Sequence, residues 1–213
     1  MTALRIEPKV VGQIVCMLHV TGALAVACVG AGCSKKEVAA ASAAAEPAPG
    51  VQVAKLDVTS TSFSAAGAMP SKYTCEGEDT SPALAWSDPP PATKSVAVIV
   101  DDPDAPDPAA PKMVFVHWVL YDIAPATKQL AEGAKSAANA GPGARDGKND
   151  FGQPGWKGPC PPKGRHRYFH KVYALDTVLP DLKHPTKAEL EKAMSGHVLA
   201  KGELVGTYEK QPK

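Results

Sequence analysis

The stretch SVAVIVDDPDAP, residues 95–106, opens on a run that is apolar on both faces of an extended chain. Alternation puts Val96, Val98 and Val100 on one face, and Ala97 and Ile99 on the other. A strand without a polar face is covered on both sides, so this one belongs at the centre of a sheet. Asp101 and Asp102 end the run. Pro103 and Pro106 then fix a turn, because proline cannot donate to a ladder. Carried into the carboxylates, the period of two places Asp102 on the face of Val100 and Asp101 on the face of Ile99. One of the two is expected to face a pocket, the other to cap the turn or meet solvent. Turn chemistry alone is the plainer alternative for the same residues.

Working outward, residues 113–123 (MVFVHWVLYDI) are β-branched and aromatic, as a strand requires. Residues 56–63, 168–175 and 203–208 supply three more strand-length runs. A helical period occurs once: Leu190, Ala193, Met194, His197 and Val198 form one apolar stripe starting after Lys187, with Thr186 placed to cap it. Long Pro- and Gly-rich loops separate the strands. The fold class is therefore mainly β with one late helix. A βαβ fold is excluded, because too few helices lie between the strands.

Charge narrows the function. Lys plus Arg number 23 and Asp plus Glu 22, a net of +1, so no general basic surface exists for nucleic acid. Residues 10–32 carry no formal charge and end in small residues (Ala27, Gly30, Ala31, Gly32), followed by Cys33 and the polar run SKKE. A weakly basic start, an apolar middle and small residues before a cut are the layout of an export signal. Cys33 directly after them matches a lipoprotein signal, with Cys28 the competing lipidation site. An uncleaved span and plain secretion are the two further readings. Residues 1–32 are thus expected to be the signal. Residues 33–54, rich in Ala and Pro, form a tether, and residues 55–211 one folded domain. The expected location is the cell envelope, on the periplasmic side of a Gram-negative cell, with a lipid anchor in the membrane.

The polar groups gather where strands end. In GRHRYFHKVYAL, His166, Tyr168 and His170 alternate onto one face. His117 lies within an apolar strand on the face expected to carry Phe115 and Val119. From the strand alone, it suits a satisfied core histidine as well as a site. Upstream of His166, the loop GPCPPKG keeps backbone N–H groups on Gly158 and Cys160 that can point at an anion. Two imidazoles, a carboxylate, a phenol and such donors suit an oxyanion. There is no Walker loop, HExxH helix, CxxC pair or GxSxG elbow.

Five segments in this order resemble phosphatidylethanolamine-binding proteins, and more closely the bacterial YbhB/YbcL-type, Raf-kinase-inhibitor-like branch. They are YTCEGEDTSPALAW (73–86), DPDAP (102–106), HW (117–118), NDFG (149–152) and GPCPPKGRHRY (158–168). The resemblance implies a large antiparallel sheet packed on a smaller one, with Greek-key connections and a few peripheral helices. It also implies a small pocket for phosphate-like anions or a phospholipid headgroup. Matched position by position, the pocket side chains are Asp102, His117, His166 and Tyr168. Gly158 and Cys160 are the backbone donors, Pro103 and Pro106 shape the rim, and the Ala105–Pro106 peptide is cis.

Cleavage and lipidation would leave Cys75 and Cys160 as the only pair in the exported domain, and the resemblance places both near the pocket, so a disulfide between them is expected. Binding of a small anionic ligand, without cofactor and without catalysis, is the leading function; a protein partner is unassigned. The alternatives are an inhibitor-like regulator and, less favoured, an enzyme. The enzyme would use Cys160 as a thiol nucleophile beside His166 and Asp102, or zinc held by His117, His166 and Asp102.

Overall fold

The computed structural model describes residues 52–211. The leader, nearly all of the tether and both lipidation candidates, Cys28 and Cys33, lie outside the described residues. In chain order the strands are β1 (Ala54–Lys55), β2 (Val58–Thr59), β3 (Leu84–Trp86), β4 (Ser95–Ala105), β5 (Met113–Ile123), β6 (Gln129–Leu130), β7 (Arg145–Asp146), β8 (Arg165–Leu175) and β9 (Val198–Glu209), with helix α1 (Lys187–Met194) between the last two. Six strands form the large sheet in the order β1-β9-β8-β4-β5-β7, and β2-β3-β6 form the small one. The large sheet is mixed rather than wholly antiparallel, since β1 joins β9 in parallel. That pairing begins at Ala54, so the last residue assigned to the tether is already in the sheet.

The doubly apolar run becomes the central strand β4. Its Val96, Val98 and Val100 pack between the sheets with Trp86, Trp118, Leu130 and Val172. Its Ala97 and Ile99 pack on the other side with Val119, Tyr121 and with Leu190 and Met194 of α1. Both faces are covered, as a strand with no polar side requires.

The run expected as a strand over 56–63 is one only at Val58–Thr59, and three further boundaries differ from the sequence expectation. First, α1 stops at Met194 and does not reach Val198. Gly196 sits at φ +82°, and Val198 pairs with Leu175 as the first residue of β9, because ten further ladder residues outweigh one more helical turn. Thr186 does cap the start: its side chain accepts from the Glu189 N–H in a reciprocal capping box. Second, β8 and β9 are longer than the apolar runs that announced them, since Arg165–Arg167 and 198–202 join the ladder, with Arg165, Arg167 and Lys201 exposed and His166 and Ala200 buried. Third, β4 continues past Asp102. The register slips between Asp102 and Ala105, and Ala105 pairs with Met113, so Pro103 falls in an irregularity where no ladder N–H is needed.

Candidate functional site

A second irregularity aims the histidine of β5. Val100 pairs with Trp118, but Asp101 pairs with Val116, leaving His117 as an extra residue without a β4 partner. Such a bulge reverses the side-chain alternation. Trp118 therefore enters the core between the sheets, Val119 the helix side, and His117 joins Phe115 and Tyr168, with ring centroids 5.4 and 5.2 Å away. The expectation that His117 shares a face with Val119 fails for this reason.

Asp102, His117, His166, Tyr168 and Cys160 line one cavity of about 220 Å³, closed by Ala105, Pro106, Met113, Phe115, Phe151, Pro161 and Pro162. Asp101, on the opposite face, is buried under α1, where its Oδ2 accepts from Lys171 at 2.8 Å and Lys187 at 2.5 Å. The two adjacent carboxylates thus separate into one for the cavity and one that ties helix to sheet.

The hydrogen bonds fix the polarity of each wall. Asp102 Oδ1 accepts from the Asp104 N–H at 2.8 Å, and Oδ2 lies 2.7 Å from His166 Nδ1. His166 Nε2 lies 3.0 Å from the Lys163 carbonyl. Both neighbours are acceptors, so each ring nitrogen of His166 already faces a protein partner. His117 Nδ1 lies 2.6 Å from the Lys157 carbonyl, so it carries the proton and Nε2 keeps a lone pair. Burial, only partly opposed by that carbonyl, pushes the His117 pKa below the usual histidine range. The Tyr168 hydroxyl is buried without a hydrogen-bond partner among the described residues. Desolvation, with the Asp102 charge next, holds its pKa well above the ordinary tyrosine value, so it is a neutral donor.

Two of the expected site residues are elsewhere. The Gly158 N–H donates to Asp79 Oδ1 at 2.7 Å, so it is not available to an anion. A side chain at Gly158 would meet the Tyr73 carbonyl oxygen at 2.4 Å, which explains glycine there by close packing. Pro103 is outside the cavity wall, because the slip after Asp102 carries the rim on to Ala105 and Pro106. The Ala105–Pro106 peptide is cis.

Cys75 and Cys160 form a disulfide with Cα atoms 5.4 Å apart. Cys160 is therefore no thiol, and the nucleophile alternative is overturned. Among the described residues no group of three His, Cys, Asp or Glu side chains is placed to hold a metal ion.

The family description "Phosphatidylethanolamine-binding protein" matches residues 59–209. The chain belongs to the phosphatidylethanolamine-binding protein family. A UPF0098 protein of Methanothermobacter thermautotrophicus is 45% identical over 146 residues, covering 68% of this chain and 93% of that one. Among solved structures, a phosphatidylethanolamine-binding protein homologue from Chlamydia trachomatis is 42% identical with a TM-score of 0.67, covering 74% of this chain and 99% of the other. Escherichia coli YbcL, described as a member of the mammalian family, is 33% identical with a TM-score of 0.66, covering 74% of this chain and 100% of the other.

In this family member, several residues of the cavity wall and of its supports were not identified from the sequence. Phe151 stands inside the NDFG motif, where Asn149 Oδ1 accepts from the N–H groups of Phe151 and Gln153. Asp150 accepts from the Val116 N–H at 2.8 Å and so closes the edge of β5 next to the bulge. Phe115 sits two residues before His117, but only the bulge shows that both face the cavity. Asp104 clamps the end of β4 to β8 through Arg167, whose Nε and Nη2 donate at 2.9 and 2.7 Å. That bidentate pair holds the Asp104 carboxyl below the usual carboxylate range.

Proposed function

We propose that this family member is a non-catalytic binding protein of the cell envelope whose cavity holds one small anionic group, phosphate-like or the headgroup of a phospholipid. The observation that carries the reading is the Tyr168 hydroxyl, a buried donor with no partner in the cavity wall. A buried polar group left unpaired costs about 1–3 kcal/mol, which a ligand oxygen would recover. His117 Nε2 is the second group left for the ligand, and its lone pair accepts the proton of a protonated oxyanion or takes one up from solvent.

Two titrations test this. Tyr168→Phe is expected to weaken binding of inorganic phosphate or phosphoethanolamine about 5- to 30-fold, measured calorimetrically. Affinity unchanged by that substitution would remove the hydroxyl from the site. The pH response should lie lower than an ordinary histidine predicts. Because burial depresses the His117 pKa, the ring is neutral at pH 7, and anion affinity should be flat above roughly pH 6.5 and rise as pH falls below it. Sulfate keeps its charge over this range and is the probe for that arm; affinity that falls on acidification would contradict the role of His117.

The envelope location is supported by the uncharged run 10–32 followed by Cys33. Labelled fatty acid should enter the wild-type protein and be lost in Cys33→Ala. Labelling that survives this substitution and disappears with Cys28→Ala would move the anchor to Cys28, and no labelling at all would overturn it. Among the described residues no helix is long and apolar enough to cross a membrane.

A further inference from the structure

Cys160 and the two prolines after it are part of the cavity wall. The chain before them is held by hydrogen bonds. The Gly158 N–H donates to Asp79, and the Pro159 carbonyl accepts from the Cys75 N–H at 3.0 Å. The chain after them is held as well, because the Lys163 carbonyl faces His166 Nε2 at 3.0 Å. Residues 160–162, between these ties, make no hydrogen bond to the rest of the described residues. Pro161 and Pro162 have no N–H to offer. Among the described residues the Cys75–Cys160 bridge is therefore the one cross-link on this piece of wall.

The bridge is also within reach of a reductant. Cys75 and Cys160 are both exposed residues, and exposed disulfides are the ones that thiols reduce most readily. Opening it would leave the hydrogen-bonding end of the cavity in place. Tyr168 belongs to β8 and His117 to β5. The Lys157 carbonyl that orients His117 stays clamped, because the Lys157 ammonium and the Gly158 N–H both donate to Asp79. What the bridge controls is the wall at 160–162.

Resting on the anion reading above, we infer that the bridge is a redox latch on the cavity. Oxidised, it holds residues 160–162 against the ligand; reduced, it releases them and affinity falls. The reductant is a dithiol. One of its thiolates attacks a sulfur of the bridge, the bond between the two cysteine sulfurs breaks, and a mixed disulfide forms. The second thiol of the reductant then displaces the protein cysteine from that mixed disulfide. Two electrons and two protons pass to the protein, which gains two thiols, and the dithiol leaves as a disulfide. Binding to the open form must order three wall residues that the bridge orders beforehand, at a cost in conformational entropy. By reciprocity, bound anion disfavours reduction by the same factor as reduction weakens anion binding.

The test is calorimetric titration of the full chain with inorganic phosphate, before and after dithiothreitol in the absence of denaturant. Alkylation and mass mapping of Cys75 and Cys160 report the state of the bridge. Reduction is expected to weaken affinity about fivefold or more, and reoxidation to restore it. Cys75→Ser keeps Cys160 and the rest of the wall. It should bind as weakly as the reduced wild type and ignore dithiothreitol. Near-ultraviolet circular dichroism checks that the reduced protein and the variant keep their fold. A bridge that opens only in denaturant overturns the latch, as does reduction that unfolds the domain or leaves affinity unchanged; in these cases the anion reading stands. If the oxidised protein binds neither phosphate nor phosphoethanolamine, the anion reading itself fails and the latch with it.

Discussion

Removing the Cys75–Cys160 bridge is expected to cost this domain about 4–5 kcal/mol of stability in the chain-entropy model, the largest single effect foreseen. The two cysteines are separated by 85 residues, so the bridge denies the unfolded chain a large set of open conformations. In the folded state the same region is held a second time. The Cys75 N–H donates to the Pro159 carbonyl at 3.0 Å, and Asp79 accepts from the Lys157 ammonium at 2.5 Å and the Gly158 N–H at 2.7 Å. The folded loop should therefore survive loss of the bridge, with the cost appearing mainly through the unfolded state. Urea unfolding of the wild type and of a Cys75→Ala, Cys160→Ala double variant measures it. A loss below about 1 kcal/mol would show that the entropic account does not apply here.

Acid is expected to destabilise the domain through His170. Its ring is fully buried between Phe63 and Trp156, with centroids 5.1 and 6.1 Å away, and Nε2 has no hydrogen-bond partner among the described residues. Burial is the main cause that lowers its pKa to about 4, against the weaker pull of the Tyr168 carbonyl near Nδ1. An unfolded histidine titrates near ~6.5. Between these values the unfolded chain binds a proton that the folded one refuses. The contribution of the neutral ring is thus fully present above pH ~6.5 and is lost as pH falls through that value toward about 4. At 1.36 kcal/mol per unit, the loss is roughly 3 kcal/mol. His170→Phe removes this dependence and keeps an aromatic ring in the slot. Between pH 7 and pH 4 the wild type should lose roughly 3 kcal/mol more than the variant, by urea unfolding at each pH. Equal losses would mean that His170 is not the titrating group. Asp104 also loses its Arg167 pairing in acid, which is why the comparison with the variant carries the test.

How much of this was legible beforehand depends on the range of the interaction concerned. Residues 95–100 announced a central strand because apolarity on both faces is a local property, and Val96, Ala97, Val98, Ile99 and Val100 are all 0% exposed. Thr186 was legible as the cap of α1 for the same reason, since a cap lies within one turn of chain, whereas the reciprocal bond from Glu189 came from the structure. His166 and Tyr168 shared a face by alternation within one regular strand, and the motif order carried the family.

Tertiary structure decided whatever required counting across two strands. The extra residue at His117 exists only as a difference between the registers on its two sides, 100 with 118 and 101 with 116. No periodicity within β5 contains it, and without it His117 would point away from Tyr168. The same holds for the slip after Asp102, which takes Pro103 out of the rim and brings Ala105 in. Gly158 was misread because its N–H is spent on Asp79, 79 residues earlier in the chain. The sequence thus determined the long strands β4, β5 and β8 and most of the faces they bury, because hydrophobic alternation is written residue by residue. Only the folded sheet decided which polar groups meet in the cavity, because a bulge is a relation between two ladders and a hydrogen bond has no fixed sequence separation.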